Sequence, residues 1–222
     1  MLNRNLGWPG QMMLACGLTL VSLFSAANVL AADPPTVLTI GKSSYTVGEQ
    51  PVLTVAGAAA NKPIWWSSWI YNEQLGQFVS TGERGVYYGD VTDARGNFTT
   101  IVATCTKAHL GFWKRQVEID GKISFVTYLV TPKIRLDKSI YAVGERPVIT
   151  ILGAPPNTKV LWSGWANGVL TGTTDADYGH LTDAEGNFTI TAAALTRADL
   201  GLWKKQAKVG AYPTSVEYAV VP

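Results

Sequence analysis

Cysteine and histidine are nearly absent, with two of each in 222 residues. That excludes a disulfide framework and leaves little material for a His/Cys metal cluster. Charge is also sparse, at 15% of residues, where soluble domains carry roughly a quarter. Lys and Arg number 18 against 16 Asp and Glu, with no basic run. The chain therefore lacks the electrostatic footprint of a nucleic-acid binder. No nucleophile elbow, zinc spacing or paired cysteine occurs, so neither a catalytic constellation nor a cofactor or metal is implied. Hydrophobic residues make up 47% of the chain and include eight Trp and nine Tyr, which excludes a disordered chain.

The first segment reads as an address. Arg4 supplies a weak positive charge, residues 14–24 (LACGLTLVSLF) form an apolar run, and the small residues of SAANVLAAD follow. Cleavage is expected after Ala31 or Ala32. Ser25 and Asn28 interrupt the run, whereas an anchor needs about 20 unbroken apolar residues. Cys16 lies before most of the run, so it is badly placed for lipid attachment. Residues 1–32 are thus expected to be a signal peptide. The mature chain would be exported, either secreted to the cell surface or held in the periplasm, with no transmembrane segment. It would carry a single cysteine, Cys105, and no internal disulfide.

The remainder is one unit written twice. Residues 45–69 match residues 141–165 at 13 of 25 positions, beginning with Tyr45-Thr46-Val47-Gly48-Glu49-Gln50-Pro51-Val52 and Tyr141-Ala142-Val143-Gly144-Glu145-Arg146-Pro147-Val148. Residues 92–116 match 182–206 at 15 of 25 positions. The offset falls from 96 to 90 between the blocks, placing six extra residues in the first copy between Trp69 and Tyr88. The domains implied are residues 33–131 and 132–222, joined at Pro132, whose ring restricts the linker.

Within each copy the hydrophobic period is two rather than 3.6. In the second copy the pattern predicts seven strands, at residues 134–136, 147–152, 160–165, 169–173, 187–194, 202–209 and 215–221. Turn chemistry separates them at residues 153–157, 167–168, 183–186 and 210–213. Seven short strands without a helix-length segment indicate an all-β fold, an antiparallel sandwich in each copy.

Each copy resembles the immunoglobulin-like domains found in tandem on bacterial secreted and surface proteins. The residues that carry the resemblance are the Tyr-x-Val-Gly-Glu-x-Pro-Val segment, Trp66 and Trp162, the Asp-Ala-x-Gly-Asn-Phe-Thr turns at 93–99 and 183–189, and Leu-Gly-x-Trp at 110–113 and 200–203. The resemblance implies two tandem Ig-like antiparallel β-sandwiches. It implies that Trp66 and Trp162 fill the space between sheets, and that Trp113 and Trp203, core residues as well, stand where antibody-type domains carry a corner tyrosine. The departure is the missing intersheet disulfide.

The candidate ligand-binding residues are aromatic. Alternation on the third strand puts Ile64, Trp66 and Ser68 on one face and Trp65, Ser67 and Trp69 on the other. With Trp66 in the core, Trp65, Trp69 and their counterpart Trp165 project outward, where they can stack on sugar rings, anchor a protein, or be covered by a neighbouring strand or domain. The six-residue excess lies within residues 70–85, and Tyr71, Phe78, Tyr87 and Tyr88 give that longer hairpin contact area at a sandwich end. Calcium at Asp90, Asp93 and Asn97 is disfavoured, because His180 replaces Asp90 in the second copy. His109 aligns with Asp199, so neither histidine has an equivalent pairing with a carboxylate in both copies.

The expectation is a non-enzymatic exported protein acting as an adhesion, assembly or structural binding module, with a protein partner or self-association. A carbohydrate-binding module using the outward Trp residues is the alternative.

Overall fold

The computed structural model describes residues 35–222, and the expected signal peptide at residues 1–32 lies outside them. In chain order the strands of the first half are β1 (Val37–Ile40), β2 (Ser44–Thr46), β3 (Val52–Ala56), β4 (Pro63–Asn72), β5 (Gln77–Ser80), β6 (Val86–Val91), β7 (Phe98–Ile101), β8 (Gly111–Ile119) and β9 (Lys122–Thr131). Those of the second half are β10 (Lys133–Leu136), β11 (Ile140–Ala142), β12 (Val148–Leu152), β13 (Lys159–Ala166), β14 (Val169–Leu170), β15 (Ala176–Leu181), β16 (Phe188–Thr191), β17 (Gly201–Val209) and β18 (Tyr212–Val221).

Each half is an immunoglobulin-like β-sandwich. A three-stranded sheet, β1-β3-β7 or β10-β12-β16, faces a six-stranded one. The larger sheets run β2-β9-β8-β4-β5 and β11-β18-β17-β13-β14, with β6 and β15 also pairing with β4 and β13. Every pairing is antiparallel except β2 with β9 and β11 with β18. The chain thus leaves the small sheet after β1 and joins the edge of the large one at β2.

The Tyr-x-Val-Gly-Glu-x-Pro-Val segment makes that switch. Tyr45 is buried and its hydroxyl accepts from Lys42 N at 3.0 Å. Glu49 accepts from Thr46 N at 2.9 Å and from Lys42 Nζ at 2.8 Å. Gly48, at φ +96°, donates to the Cys105 carbonyl at 2.8 Å. Tyr141, Glu145 and Gly144 repeat these contacts.

Nine strands per sandwich replace the expected seven. The stretch before residue 147, outside the seven expected strands, contains the short strand β11, and its counterpart in the first half contains β2. Strands β6 and β15 were also unforeseen, because glycines at positive φ, Gly89 and Gly179, sit inside them and break the apolar alternation. The span 169–173 is a strand only at Val169–Leu170, and 187–194 only at Phe188–Thr191. The last strand starts at Tyr212 rather than Ser215, which puts Tyr212 and Pro213 in the sheet rather than the turn.

The core of the first sandwich gathers Leu53, Val55, Ile64, Trp66, Val117 and Ile119, and Ile151, Val160, Trp162 and Val209 do the same in the second. Trp66 packs its ring 6.4 Å from Phe98, and Trp162 packs 6.1 Å from Phe188. Leu110-Gly111-Phe112-Trp113 opens β8 after a 3-10 turn at Lys107–His109. There Trp113 is buried and its Nε1 donates to the His109 carbonyl at 2.6 Å. Trp203 makes the same bond to Asp199, but it is only half-buried, stacked on Tyr218 at 6.3 Å. It belongs to the rim of its core rather than the centre.

The turns at Asp93 and Asp183 are self-contained. Asp93 Oδ1 accepts from Arg95 N and Asn97 N, both at 2.8 Å, and those bonds hold its carboxyl below the ordinary aspartate range. Gly96, at φ +76°, presses on the adjacent loop so closely that a Cβ would lie 1.8 Å from the Ala58 carbonyl oxygen.

The sandwiches meet around the buried Pro132, between the end of β9 and the start of β10. Tyr212 of β18 packs against the first sandwich's cluster of Tyr45, Trp113, Tyr128 and Val130. Gly153 faces Val47 closely enough that a Cβ would fall 2.7 Å from Val47 Cγ1.

Candidate functional site

The outer face of the first sandwich's large sheet collects the aromatic candidates. Register sets Trp65 opposite Tyr87 on β6 and opposite Glu118 on β8. Trp69 lies opposite Lys114, Gln116 opposite Phe125, and Tyr71 opposite Phe78. Trp65 is 42% exposed, Tyr71 40%, Tyr87 44%, Phe112 48% and Phe125 57%. Trp65 and Tyr87 lie 5.4 Å apart with a 41° tilt, and Tyr71 and Phe78 meet edge-on at 5.4 Å. Lys114 Nζ sits 5.1 Å from the Trp69 ring and 4.4 Å from Phe125, a cation shared between two faces.

Trp69 and Trp165 project outward less freely than expected. Both are half-buried, and Lys204 covers Trp165 at 5.5 Å as Lys114 covers Trp69. Alternation also fails at Ser67, which is buried although it shares the outward parity of Trp65. The loop between β5 and β6 folds over it, and Ser67 Oγ accepts from Gly85 N at 2.9 Å. Phe78 is half-buried beside Tyr71. Tyr87 was read from the sequence as contact area, whereas Phe112 and Phe125 were not singled out. Their spacing on β8 and β9 is the period-two signal that would have found them.

The six extra residues lengthen one hairpin. Strand β4 has 10 residues and β5 four, where β13 has eight and β14 two. A four-residue loop, Glu73 to Gly76, replaces the two-residue Asn167-Gly168 turn, whose φ values of +49° and +81° are those of a tight hairpin. Burial, and after it the charge of Glu73 on the lengthened loop, raise the Tyr212 phenol above its ordinary range.

The two histidines act as substitutes for carboxylates. His180 Nδ1 accepts from Trp162 Nε1 at 3.0 Å, where Asp90 Oδ2 accepts from Trp66 Nε1 at 2.8 Å. His109 Nδ1 accepts from Thr106 N at 3.0 Å, where Asp199 Oδ2 accepts from Thr196 N at 2.8 Å. Asp90 and Asp93 are both engaged by protein donors, and no His, Cys, Asp and Glu cluster able to hold a metal occurs among the described residues.

Cys105 is buried. It lies in the loop four residues past the end of β7. Its amide donates to the Glu49 carbonyl at 2.8 Å. Burial, then the charge of Glu49, push its thiol above the ordinary range.

Between the sheets of the first sandwich, Glu83 is the centre of a polar knot. It accepts from Arg115 Nη1 at 2.6 Å, Ser68 Oγ at 2.7 Å and Tyr88 Oη at 2.8 Å. Burial alone would raise its carboxyl, but the bonds from Ser68 and Tyr88 and the charge of Arg115 outweigh that and hold it below its ordinary range.

No family model and no curated protein sequence matches the chain. Solved structures to which the chain is similar include a transglutaminase from red sea bream, at 9% identity and TM-score 0.41, over 85% of this chain and 32% of that one. Murine CEACAM1b gives 12% identity and TM-score 0.30 over 84% and 99% of the two chains. The N-terminal four Ig domains of a Dscam1 isoform give 15% and 0.28 over 84% and 45%. This chain therefore spans about a third of the transglutaminase it matches. Among the described residues no helix is long and apolar enough to cross a membrane.

Proposed function

We propose that the protein is an exported, non-enzymatic binding module of two Ig-like domains meeting at Pro132, and that a protein partner docks on the aromatic face of its first domain. A difference between the copies carries this reading. Trp65, Tyr71, Tyr87, Phe112 and Phe125 correspond to Leu161, Asn167, Asp177, Leu202 and Ser215. The second copy builds the same sandwich without these rings, so folding does not require them. An outward cluster of exposed rings on one sheet is what an interaction site needs: large, rigid contact area with little entropy to lose.

A glycan is the second reading, and it rests on the Trp65–Tyr87 pair. The 41° tilt of those rings and the edge-on Tyr71–Phe78 contact make an uneven relief rather than one flat stacking platform, which favours a protein surface.

Photo-crosslinking in the producing cell tests the proposal. A benzophenone side chain placed at position 125 or 112 is expected to give one discrete protein adduct, and the same probe at position 215 or 202 none. Adducts that do not differ between the two domains, or no adduct at position 125, overturn it. Retention on polysaccharide that disappears in Trp65→Ala, without any protein adduct, selects the glycan.

A further inference from the structure

The second sandwich repeats the polar knot around Glu83 with its centre removed. At the positions of Ser68, Glu83, Asp90 and Arg115 stand Gly164, Thr173, His180 and Lys205, while Tyr88 is retained as Tyr178. A cleft of about 170 Å³ lies there between the sheets, matching one of about 320 Å³ beside Trp66, Tyr88, Asp90 and Arg115 in the first sandwich. Ile149, Trp162, Ile190 and Ala192 supply apolar wall, and Lys205, Tyr178, Thr171, Thr173 and His180 supply polar groups. No carboxylate lines it.

The first sandwich shows what this geometry holds. There a cation on β8 and a tyrosine hydroxyl on β6 converge on one carboxylate, which the chain itself provides. In the second, the cation and the hydroxyl persist but the carboxylate is gone. Arg115 stands 5.9 Å from the Trp113 ring and Lys205 Nζ 5.1 Å from Trp203, so the two cations occupy matching perches. A Cβ on Gly164 would come within 2.9 Å of Lys205 Nζ, so the glycine leaves the ammonium room inside the sandwich. Lys205 makes no ion pair among the described residues. Burial depresses its pKa below the ordinary lysine range, against the opposing charge of Asp199. A half-buried ammonium with no ion-pair partner gains from an anion placed against it.

We propose that this cleft binds a small monocarboxylate with an apolar body, its carboxylate taking the place that Glu83 fills in the first sandwich. The volume sets the size: about 150 Å³ accommodates a benzene ring, and the apolar walls of Ile149, Trp162 and Ile190 suit one. The donors are consistent with this. His180 Nδ1 accepts from Trp162, which leaves its other ring nitrogen as a donor, and Lys205 and Tyr178 add two more.

Benzoate is the probe, titrated into the purified protein and followed by the indole N–H resonances of Trp162 and Trp203. Saturable shifts in the millimolar range are expected. Benzyl alcohol, of the same shape without the charge, should bind at least about tenfold more weakly. Thr173→Glu restores the internal carboxylate and should abolish binding, as should Lys205→Met. Circular dichroism confirms that each variant is folded, and Thr173→Glu, which copies the first sandwich, is the variant least exposed to misfolding. The proposal is overturned by any of three results: no saturable shift in wild type, equal binding of benzyl alcohol, or undiminished binding in folded Thr173→Glu.

Discussion

Trp66 Nε1 donates to Asp90 Oδ2 at 2.8 Å across the gap between β4 and β6, and this bond ties the central tryptophan of the first core to the sheet's edge. Trp66 is 4% exposed, so its N–H has no water to fall back on. The second sandwich solves the same problem with His180. What the position requires is an acceptor in reach of the indole, not a charge.

Asp90→Leu should therefore cost about 1–3 kcal/mol, the penalty of a buried donor left without a partner. Asp90→His should cost less than half as much, because the second sandwich shows that imidazole fits. Urea denaturation measures both. If the two variants lose equal stability, the acceptor is not what matters.

The turn glycines separate two effects that usually travel together. Gly96 has φ +76° and no space, since a Cβ would lie 1.8 Å from the Ala58 carbonyl oxygen; Gly89 has φ +91° and open space. Gly89→Ala should cost only the left-handed backbone penalty, about 1–2 kcal/mol. Gly96→Ala must also displace a loop, and should lose more than about 3 kcal/mol or fail to fold. Similar melting temperatures for the two variants would show that the Ala58 loop yields freely.

Much of this architecture was legible beforehand, and the failures share a physical cause. Trp66, Trp162 and the Asp93 turn were readable because alternation and turn chemistry are local. Strand β6 was not, since Gly89 interrupts its pattern and its pairing with β4 is a long-range matter. Ser67 was misplaced because the loop covering it comes from 18 residues further on. The exchange of Glu83 for Thr173 was not readable, because Glu83 lies in the stretch where the repeat offset changes, and without the sandwich nothing brought Arg115, Tyr88 and Ser68 to the same carboxylate.

Alkali should loosen the second sandwich at a definable pH. Tyr141 and Tyr218 meet edge-on at 5.5 Å. Burial, then the bond from Tyr141 to Asp137, push the Tyr141 phenol up to about 12, and burial, then the charge of Asp199, take Tyr218 to about 12. Unfolded tyrosine titrates near 10. A folded-state value above the unfolded one gives stability that is complete below about pH 10 and is lost as pH rises through about 12. The urea midpoint should hold steady to about pH 9.5 and then fall, with a shallower slope in Tyr141→Phe. A midpoint unchanged at pH 12 contradicts the assignment.

Tyr212 belongs to one sandwich and packs on the aromatic cluster of the other, and the charge of Glu73 on the lengthened hairpin acts on its phenol. Such a shared contact couples two folding units, because neither can open without exposing surface on its neighbour. Scanning calorimetry of the wild type should show one endotherm. Tyr212→Ala, or replacement of residues 71–78 by an Asn-Gly turn, should split it into two, each corresponding to a sandwich that remains folded by circular dichroism at 25 °C (about room temperature). A single endotherm in both variants, at the wild-type temperature, would mean that Pro132 and the Val47–Gly153 contact couple the sandwiches unaided and that the long hairpin is free for another role.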